Sequence, residues 1–437
     1  MSGSVRRDLD HHHTTLPNGI RVLVAEMPET RSVSMAIYVG IGSRVETKND
    51  AGTSHFLEHM LFKGTAKRPT AADISQEIES RGGVVNASTD KEVTVFWSRV
   101  PARHYLVALD VVADMLRAPV LRATDVESER RVIVEELRMY RDQPQDRVHT
   151  LVDELLYPRH PLGWEVAGRE DVVLGMTTDG LRAFMQRGYA PSRTVVALAG
   201  PIRADEAVLA VAEALGALAP RDPPPVAPAT KPGKTRLKLL GKRAEQTNLC
   251  VAWRGVQTQH PDKYAIDMLN AVLGEGMSSR LFLELREKRG LAYDVHSYDA
   301  NYADAGHIVV YAGFAPTNGA EVLAAVLREI ERLREEPVPD SELERVRDFA
   351  KGRLELRLED TRGVSGWLAA QELFLGRVRS VDEVCAIIDG IGPSDIQRVA
   401  RSYLQPDQAF VAAIGPRSSL VAIAAPAAPA LEMEIAS

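Results

Sequence analysis

The sequence predicts two similar domains of mixed strands and helices joined by a proline-rich linker. At 437 residues the chain is too long for one ordinary hydrophobic core. Near its midpoint, residues 219–234 carry Pro220, Pro223, Pro224, Pro225, Pro228 and Pro232, a composition that keeps a chain extended and stiff. The order of strand and helix patterns before this segment recurs after it, although residue identity does not. The domains are therefore expected at 15–218 and 235–418, with a mobile start at 1–14 and an Ala/Pro-rich tail at 419–437.

In the first half, Leu16-Pro17-Asn18-Gly19 reads as a turn into a strand from Ile20 to Ala25, and a second strand covers Val33 to Val39. Apolar Phe56, Leu57, Met60 and Leu61 recur at helical spacing. Thr53 or Ser54 suits the N-cap of that helix, and Gly64 its C-cap. Pro69-Thr70 opens a helix to Ser80, which Gly82-Gly83 stops. Val84–Ser88 and Val93–Val100 read as a hairpin around Thr89-Asp90-Lys91-Glu92. Helices follow at Tyr105–Leu116, Asp125–Arg141, Asp146–Leu156, Thr178–Arg187 and Asp205–Leu215, with a strand at Thr194–Ala199. Beyond the linker, strands fall at Arg236–Leu240, Thr247–Trp253, Tyr293–Tyr298, His307–Ala312 and Ala409–Ile414. Helices fall at Tyr264–Leu273, Leu281–Arg286, Ala320–Leu333, Asp340–Leu358 and Pro393–Tyr403.

Composition excludes several classes. A net charge of −7 and 5% aromatic content argue against nucleic acid as a partner. No window approaches the roughly 20 apolar residues of a membrane span. Arg6 and Arg7 are followed by no apolar core, so no secretory signal is expected, and a cytoplasmic location is. Cys250 and Cys385 are far apart and form no Cys-pair metal motif, which suits a reducing compartment.

The chemistry concentrates in His55-Phe56-Leu57-Glu58-His59. On a helix, His55 and His59 project from one face about one turn apart, as two ligands of one tetrahedral zinc ion require. Glu58 shares that face and can reach a metal-bound water without ligating the metal, the position of a general base. A further ligand must come from elsewhere. The acidic helix Asp125–Arg141 carries Glu127, Glu129, Glu135 and Glu136, and Glu129 and Glu136 share a face two turns apart. By spacing alone, a solvated acidic face is the more ordinary explanation of them.

The segment Gly52-Thr53-Ser54-His55-Phe56-Leu57-Glu58-His59-Met60-Leu61-Phe62-Lys63-Gly64-Thr65, with Asn86-Ala87, Glu129 and Glu136 downstream, resembles the pitrilysin/insulysin/mitochondrial processing peptidase family. These are inverted zincins, whose His-x-x-Glu-His reverses the usual order. In the second half, Ser279-Arg280-Leu281-Phe282 and Leu285 to Tyr293 resemble the family's C-terminal motif. The likeness runs from about Thr15 to Pro416.

The resemblance implies an α+β fold, each domain an antiparallel sheet packed with helices. It implies one Zn²⁺ per chain on His55, His59 and Glu136, with Glu135 the near competitor, and Glu129 holding a ligand from behind. Asn86 and Ala87 would bind substrate along an exposed strand. Arg286 and Tyr293 would reach the substrate, Tyr293 donating to a developing oxyanion. The implied function is zinc-dependent endopeptidase cleavage of unfolded peptides or presequence-like segments inside a dimeric chamber, by attack of metal-activated water with Glu58 as base. A homodimer would complete each site in trans, and a heterodimer is the alternative.

Overall fold

The computed structural model describes residues 10–425 with their side chains and the backbone of 426–427 and 432–436. The chain forms two compact units, each gathered from separated stretches. One contains the chain up to Leu137, Glu165–Ala227 and Leu354–Asp382; the other contains Arg138–Trp164, Pro228–Arg353 and the chain from Glu383 onward. This differs from the linear division expected at the linker. The linker itself holds to the units piecewise. Arg44 Nη2 donates to Ala227 O at 3.1 Å in the first, and Ala229 N donates to Asp304 Oδ2 at 2.9 Å in the second.

The first unit is built on strands β1 (His12–Thr15), β2 (Arg21–Glu26), β3 (Ser32–Val39), β4 (Val84–Thr89), β5 (Thr94–Pro101) and β6 (Thr194–Gly200). Their order across the sheet is β1-β2-β6-β3-β5-β4, which leaves β4 at an edge. The second unit repeats the plan with β7 (Thr235–Gly241), β8 (Thr247–Arg254), β9 (Ala292–Asn301), β10 (Gly306–Phe314), β11 (Phe410–Gly415) and β12 (Glu432–Ala436). Their order is β12-β7-β11-β8-β10-β9. The α+β class holds, with a difference in detail: β2 pairs parallel to β6, and β7 pairs parallel to both β11 and β12. The strands of each parallel pair are far apart in the chain, with helices and other strands between them, because a tight turn cannot join parallel neighbours.

Small residues explain why one helix comes from far along the chain in each unit. On the first sheet, Ala25, Ala36, Ala197 and Ala199 leave a shallow face beside Leu23 and Val195. The helix Thr361–Leu375 lays Val364, Leu368 and Ala369 into it. Asp360 caps that helix by accepting from Gly363 N at 2.7 Å, and the Thr361 and Ser34 hydroxyls meet at 2.8 Å. In the second unit the helix Pro144–Leu156 packs Val148, Leu151, Val152 and Leu155 against Cys250, Ala252, Ala412 and Ile414. Alanine on a sheet face lets a helix backbone approach closely, and the alternation of strand side chains confines those alanines to one face.

Other expectations are corrected. The start is not mobile throughout: β1 pairs antiparallel with β2, although residues 1–9 lie outside the described residues. The helix Arg417–Ala427 runs into the expected tail and β12 joins the sheet, with 428–431 and 437 outside the described residues. Helices at Thr361–Leu375 and Val381–Gly390 had no counterpart in the sequence reading. No helix among the described residues is long and apolar enough to cross a membrane.

Filling the shallow face tests this packing. Ala197→Leu is expected to lower unfolding stability by about 1–3 kcal/mol through overpacking, read as a lower urea midpoint with an unchanged slope.

Candidate metal centre

The helix Thr53–Leu61 is anchored by Phe56, Leu57, Met60 and Leu61, all fully buried. It does not start with the expected Thr53 or Ser54 cap. Its N-cap is Gly52, at a φ of +97° that glycine adopts without strain. A Cβ on Gly52 would stand 2.6 Å from Ala167 O, so the backbones of two segments touch there. The capping oxygens come from Glu46: Oε2 accepts from Gly52 N and Oε1 from Ser54 N, each at 2.7 Å. Burial pushes the Glu46 carboxyl up to about 7, against the pull of those two N–H groups. The helix ends at Leu61 with Phe62 as its C-cap, and Gly64 lies beyond it at a φ of +134°.

This helix presents His55 and His59 with ring centroids 4.6 Å apart, edge to face. Opposite lies the helix Ala123–Asp142, which buries Val126, Ile133, Val134 and Leu137. Glu136 projects from it, half-buried, with one carboxylate oxygen 3.8 Å from His55 Nε2 and the other 3.7 Å from His59 Nε2. Glu135 is exposed on the same helix. One ligand atom each from His55, His59 and Glu136 lie within 4.8 Å of one another.

Glu129 is buried two turns before Glu136. Its Oε1 lies 2.8 Å from His59 Nδ1, and its Oε2 accepts from Lys63 Nζ at 2.5 Å. The carboxylate thus fixes the imidazole's far nitrogen and leaves Nε2 facing Glu136. Burial raises the Glu129 carboxyl, but the His59 and Lys63 hydrogen bonds outweigh it and leave the group below its ordinary range.

These donors fit a zinc ion. Two imidazoles and one carboxylate are the three-ligand set of a site that keeps a fourth position open. Bonds of about 2.1 Å in tetrahedral geometry place ligand atoms about 3.4 Å apart, so small side-chain shifts close the set. His55 Nδ1 is buried without a hydrogen-bond partner, so that ring's polar engagement is on the Glu136 side. Burial, then the neighbouring His59, push His55 down to about 4, which leaves the ring neutral and its lone pair free for a cation. His59 is raised: burial pulls it down, but Glu129, Glu136 and Glu58 prevail.

Glu58 stands on the same helix with its carboxyl raised. Burial is the main cause and Glu136 adds to it, while the Thr89 hydroxyl and His59 work against it. Thr89 Oγ1 donates to Glu58 Oε2 at 2.6 Å, and Thr89 ends the edge strand β4. Asn86 and Ala87 lie on that same edge, with Ala87 N donating to Asn86 Oδ1 at 2.8 Å. Sequence reasoning missed Glu46, Lys63 and Thr89. Glu46 caps from just before the helix, and Lys63 and Thr89 act through contacts with Glu129 and Glu58 that the fold brings together.

Arg286 and Tyr293 belong to the second unit and are described within it. Arg286 lies in the wide π-type turn Phe282–Lys288, a local form frequent at functional sites. Its guanidinium stands 5.4 Å over the Tyr293 ring, and Tyr293, near the start of edge strand β9, is 74% exposed.

Residues 21–170 match the model described as insulinase (peptidase family M16), and residues 175–349 match the peptidase M16 inactive domain. The chain is 39% identical over 409 residues to an uncharacterized zinc protease of Streptomyces coelicolor, covering 92% of this chain and 88% of the relative. It is 34% identical over 407 residues to an uncharacterized zinc protease of Bacillus subtilis, covering 93% and 98%. Among solved structures, a protease from Helicobacter pylori superposes with a TM-score of 0.88 at 23% identity, covering 94% of this chain and 100% of the other. A peptidase M16 inactive domain from Pseudomonas fluorescens gives 0.85 at 21%, covering 93% and 98%, and both likenesses concern the fold.

Two outcomes test the geometry. Glu129→Gln is expected to weaken zinc binding by roughly 10–100-fold in a chelator competition, because His59 loses the partner that orients it. Glu46 titrates at 4.5 when exposed and near 7 here, so the folded chain holds its proton more tightly. Stability from this group is therefore lost as pH rises from about 4.5 to about 7. Between pH 5 and 8, urea titrations should show Glu46→Gln gaining up to about 3 kcal/mol relative to wild type.

Proposed function

Because the chain belongs to the insulinase family of peptidases (M16), we propose that it is a zinc-dependent endopeptidase in which His55, His59 and Glu136 hold the ion and Glu58 is the general base. The observation that carries this reading is the meeting of those three ligand atoms with a base tied to an exposed strand edge. The half matching the inactive-domain model contains no His-x-x-Glu-His, so one site per chain is expected.

Zinc, when bound, polarises the scissile carbonyl and lowers the pKa of water at the open position. The chain's residues do the rest. Glu58 accepts the proton of the attacking water, and the burial that raises its pKa makes it a stronger base. Thr89 holds Oε2, which leaves Oε1 for the water. Glu129 keeps the His59 ring in register, and Lys63 balances the added negative charge.

The substrate joins the sheet as a further strand beside β4, pairing with the backbone at Asn86 and Ala87. The Asn86 side chain, which holds Ala87 N–H, must swing aside for an incoming carbonyl. Backbone pairing suits unfolded peptides and presequence-like segments, because it needs an extended chain and reads little of its sequence. In a homodimer with a closed chamber, Arg286 would hold the substrate backbone and Tyr293 would donate to the developing oxyanion of the partner's site. A heterodimer would serve if another chain supplied that pair.

A quenched fluorescent peptide and a zinc assay test the assignment together. Glu58→Gln should keep one zinc per chain and lose turnover by roughly 10²–10⁴-fold. Retained turnover in that variant would exclude Glu58 as the base. Mixing Glu58→Gln with Arg286→Ala should restore about a quarter of wild-type activity. Random exchange makes half the dimers mixed, and each mixed dimer keeps one intact site. No recovery on mixing would contradict completion in trans.

A further inference from the structure

A cavity of about 440 Å³ lies on the face of the first sheet that carries Ser88, beside the helix Thr361–Leu375. Its floor follows one cross-strand row: Tyr38 on β3 pairs with Val95 on β5, and Val95 pairs with Ser88 on the edge strand β4. Its rim carries Arg357 and Arg362. Both are exposed, and among the described residues neither forms an ion pair. The Arg362 guanidinium lies 3.8 Å over the Trp97 ring, which leaves the N–H edge of its fork open to a carboxylate. Asp360 also lines the cavity, but its carboxylate is engaged by Gly363 N at 2.7 Å and by Arg99 at 3.9 Å. Burial raises the Tyr38 phenol, and Arg357 and Arg362 partly offset that rise, so both cations act on the cavity floor.

The place of this cavity gives it a role. Successive strand residues point to opposite faces. Thr89 directs its hydroxyl to Glu58, so Ser88 points to the other face, where the cavity opens. A peptide strand added beside β4 would lie about 4.8 Å from it and extend the same rows. Its residue level with Ser88 would turn its side chain toward the cavity, while its neighbours faced the Glu58 side. With a rise of about 3.3 Å per residue, that side chain falls within about three residues of the bond being cut.

We propose that the cavity lined by Arg362 and Arg357 is a substrate subsite that selects a carboxylate side chain, Asp or Glu, within about three residues of the scissile bond. The inference rests on the peptidase reading and on strand addition at β4. Arg362 is the contact residue, its plane fixed by Trp97, and Arg357 adds charge across the cavity. Selection is a matter of which peptides are cut fastest, because the backbone pairing is common to all.

The test compares kcat/KM for matched peptides with Glu, Gln or Lys scanned through the three positions on each side of the cut. All are amidated at the C-terminus, so a terminal carboxylate cannot supply the charge. Wild type should favour Glu over Lys at one position by about tenfold, as a charge-assisted arginine contact predicts. The ratio should collapse toward one in Arg357→Gln/Arg362→Gln and invert in Arg357→Glu/Arg362→Glu. If those variants fail to fold, raising salt from 50 to 500 mM with wild type should shrink the same ratio (assay conditions chosen to bring the Debye length below about 5 Å). Cleavage without charge preference, or a preference that survives the double Gln variant or high salt, overturns the subsite. Absence of any cleavage, or cleavage undiminished by Glu58→Gln, counts instead against the peptidase reading.

Discussion

Three carboxylates and two imidazoles crowd between the facing helices Thr53–Leu61 and Ala123–Asp142, and that crowding governs the first unit. Glu58, Glu129 and Glu136 all bear on His59, and Lys63 is the cation that pairs with Glu129. Burial keeps His55 neutral, so it cannot balance this charge. A divalent ion placed among these donors would satisfy more of them than a proton does. Everything that fixes the helix Thr53–Leu61 therefore serves the site: its buried apolar face, the close approach at Gly52, and the Glu46 carboxylate on its first N–H groups.

The two units solve one packing problem twice. Each sheet places small residues on the face that a helix covers, among larger ones such as Phe410 and Ile414 in the second unit, and each receives a helix that the linear order assigns to the other half. The proline run predicts a linear division, and the compact units do not follow it. A helix of ordinary length and polarity carries no mark of which sheet it will cover. Only the alanines of β2, β3 and β6 and the Cys250, Ala252 and Ala412 positions record the match.

What was legible in the chain was local. The hairpin was expected at Val84–Ser88 and Val93–Val100, and the strands run Val84–Thr89 and Thr94–Pro101. The i, i+4 spacing of His55 and His59 reads directly as two rings on one helix face. Spacing could not separate Glu135 from Glu136, because both fall on one helix; the facing helix makes that distinction. Thr361–Leu375 escaped notice because Gly363 and Gly366 weaken its helical pattern and its apolar residues run around more than one side. β1 escaped because His12 and His13 are poor strand signals, and backbone pairing with β2 at the edge of the sheet supplies what the side chains lack. Lys63 and Thr89 act through contacts with distant stretches, Glu129 and Glu58. Glu46 lies only six and eight residues from the N–H groups it caps, but no residue pattern marks a carboxylate placed there as a cap.

The central claim is that His55, His59 and Glu136 hold one zinc ion with a position left open. X-ray absorption at the zinc edge of the purified protein tests it most directly. The account predicts one zinc per chain, two imidazole nitrogens at about 2.0–2.1 Å, and light oxygen scatterers completing a four-coordinate shell. Loss of one imidazole in His59→Ala should appear in the same spectrum. A sulfur shell, or a spectrum unchanged by removal of His59, would contradict the site described here.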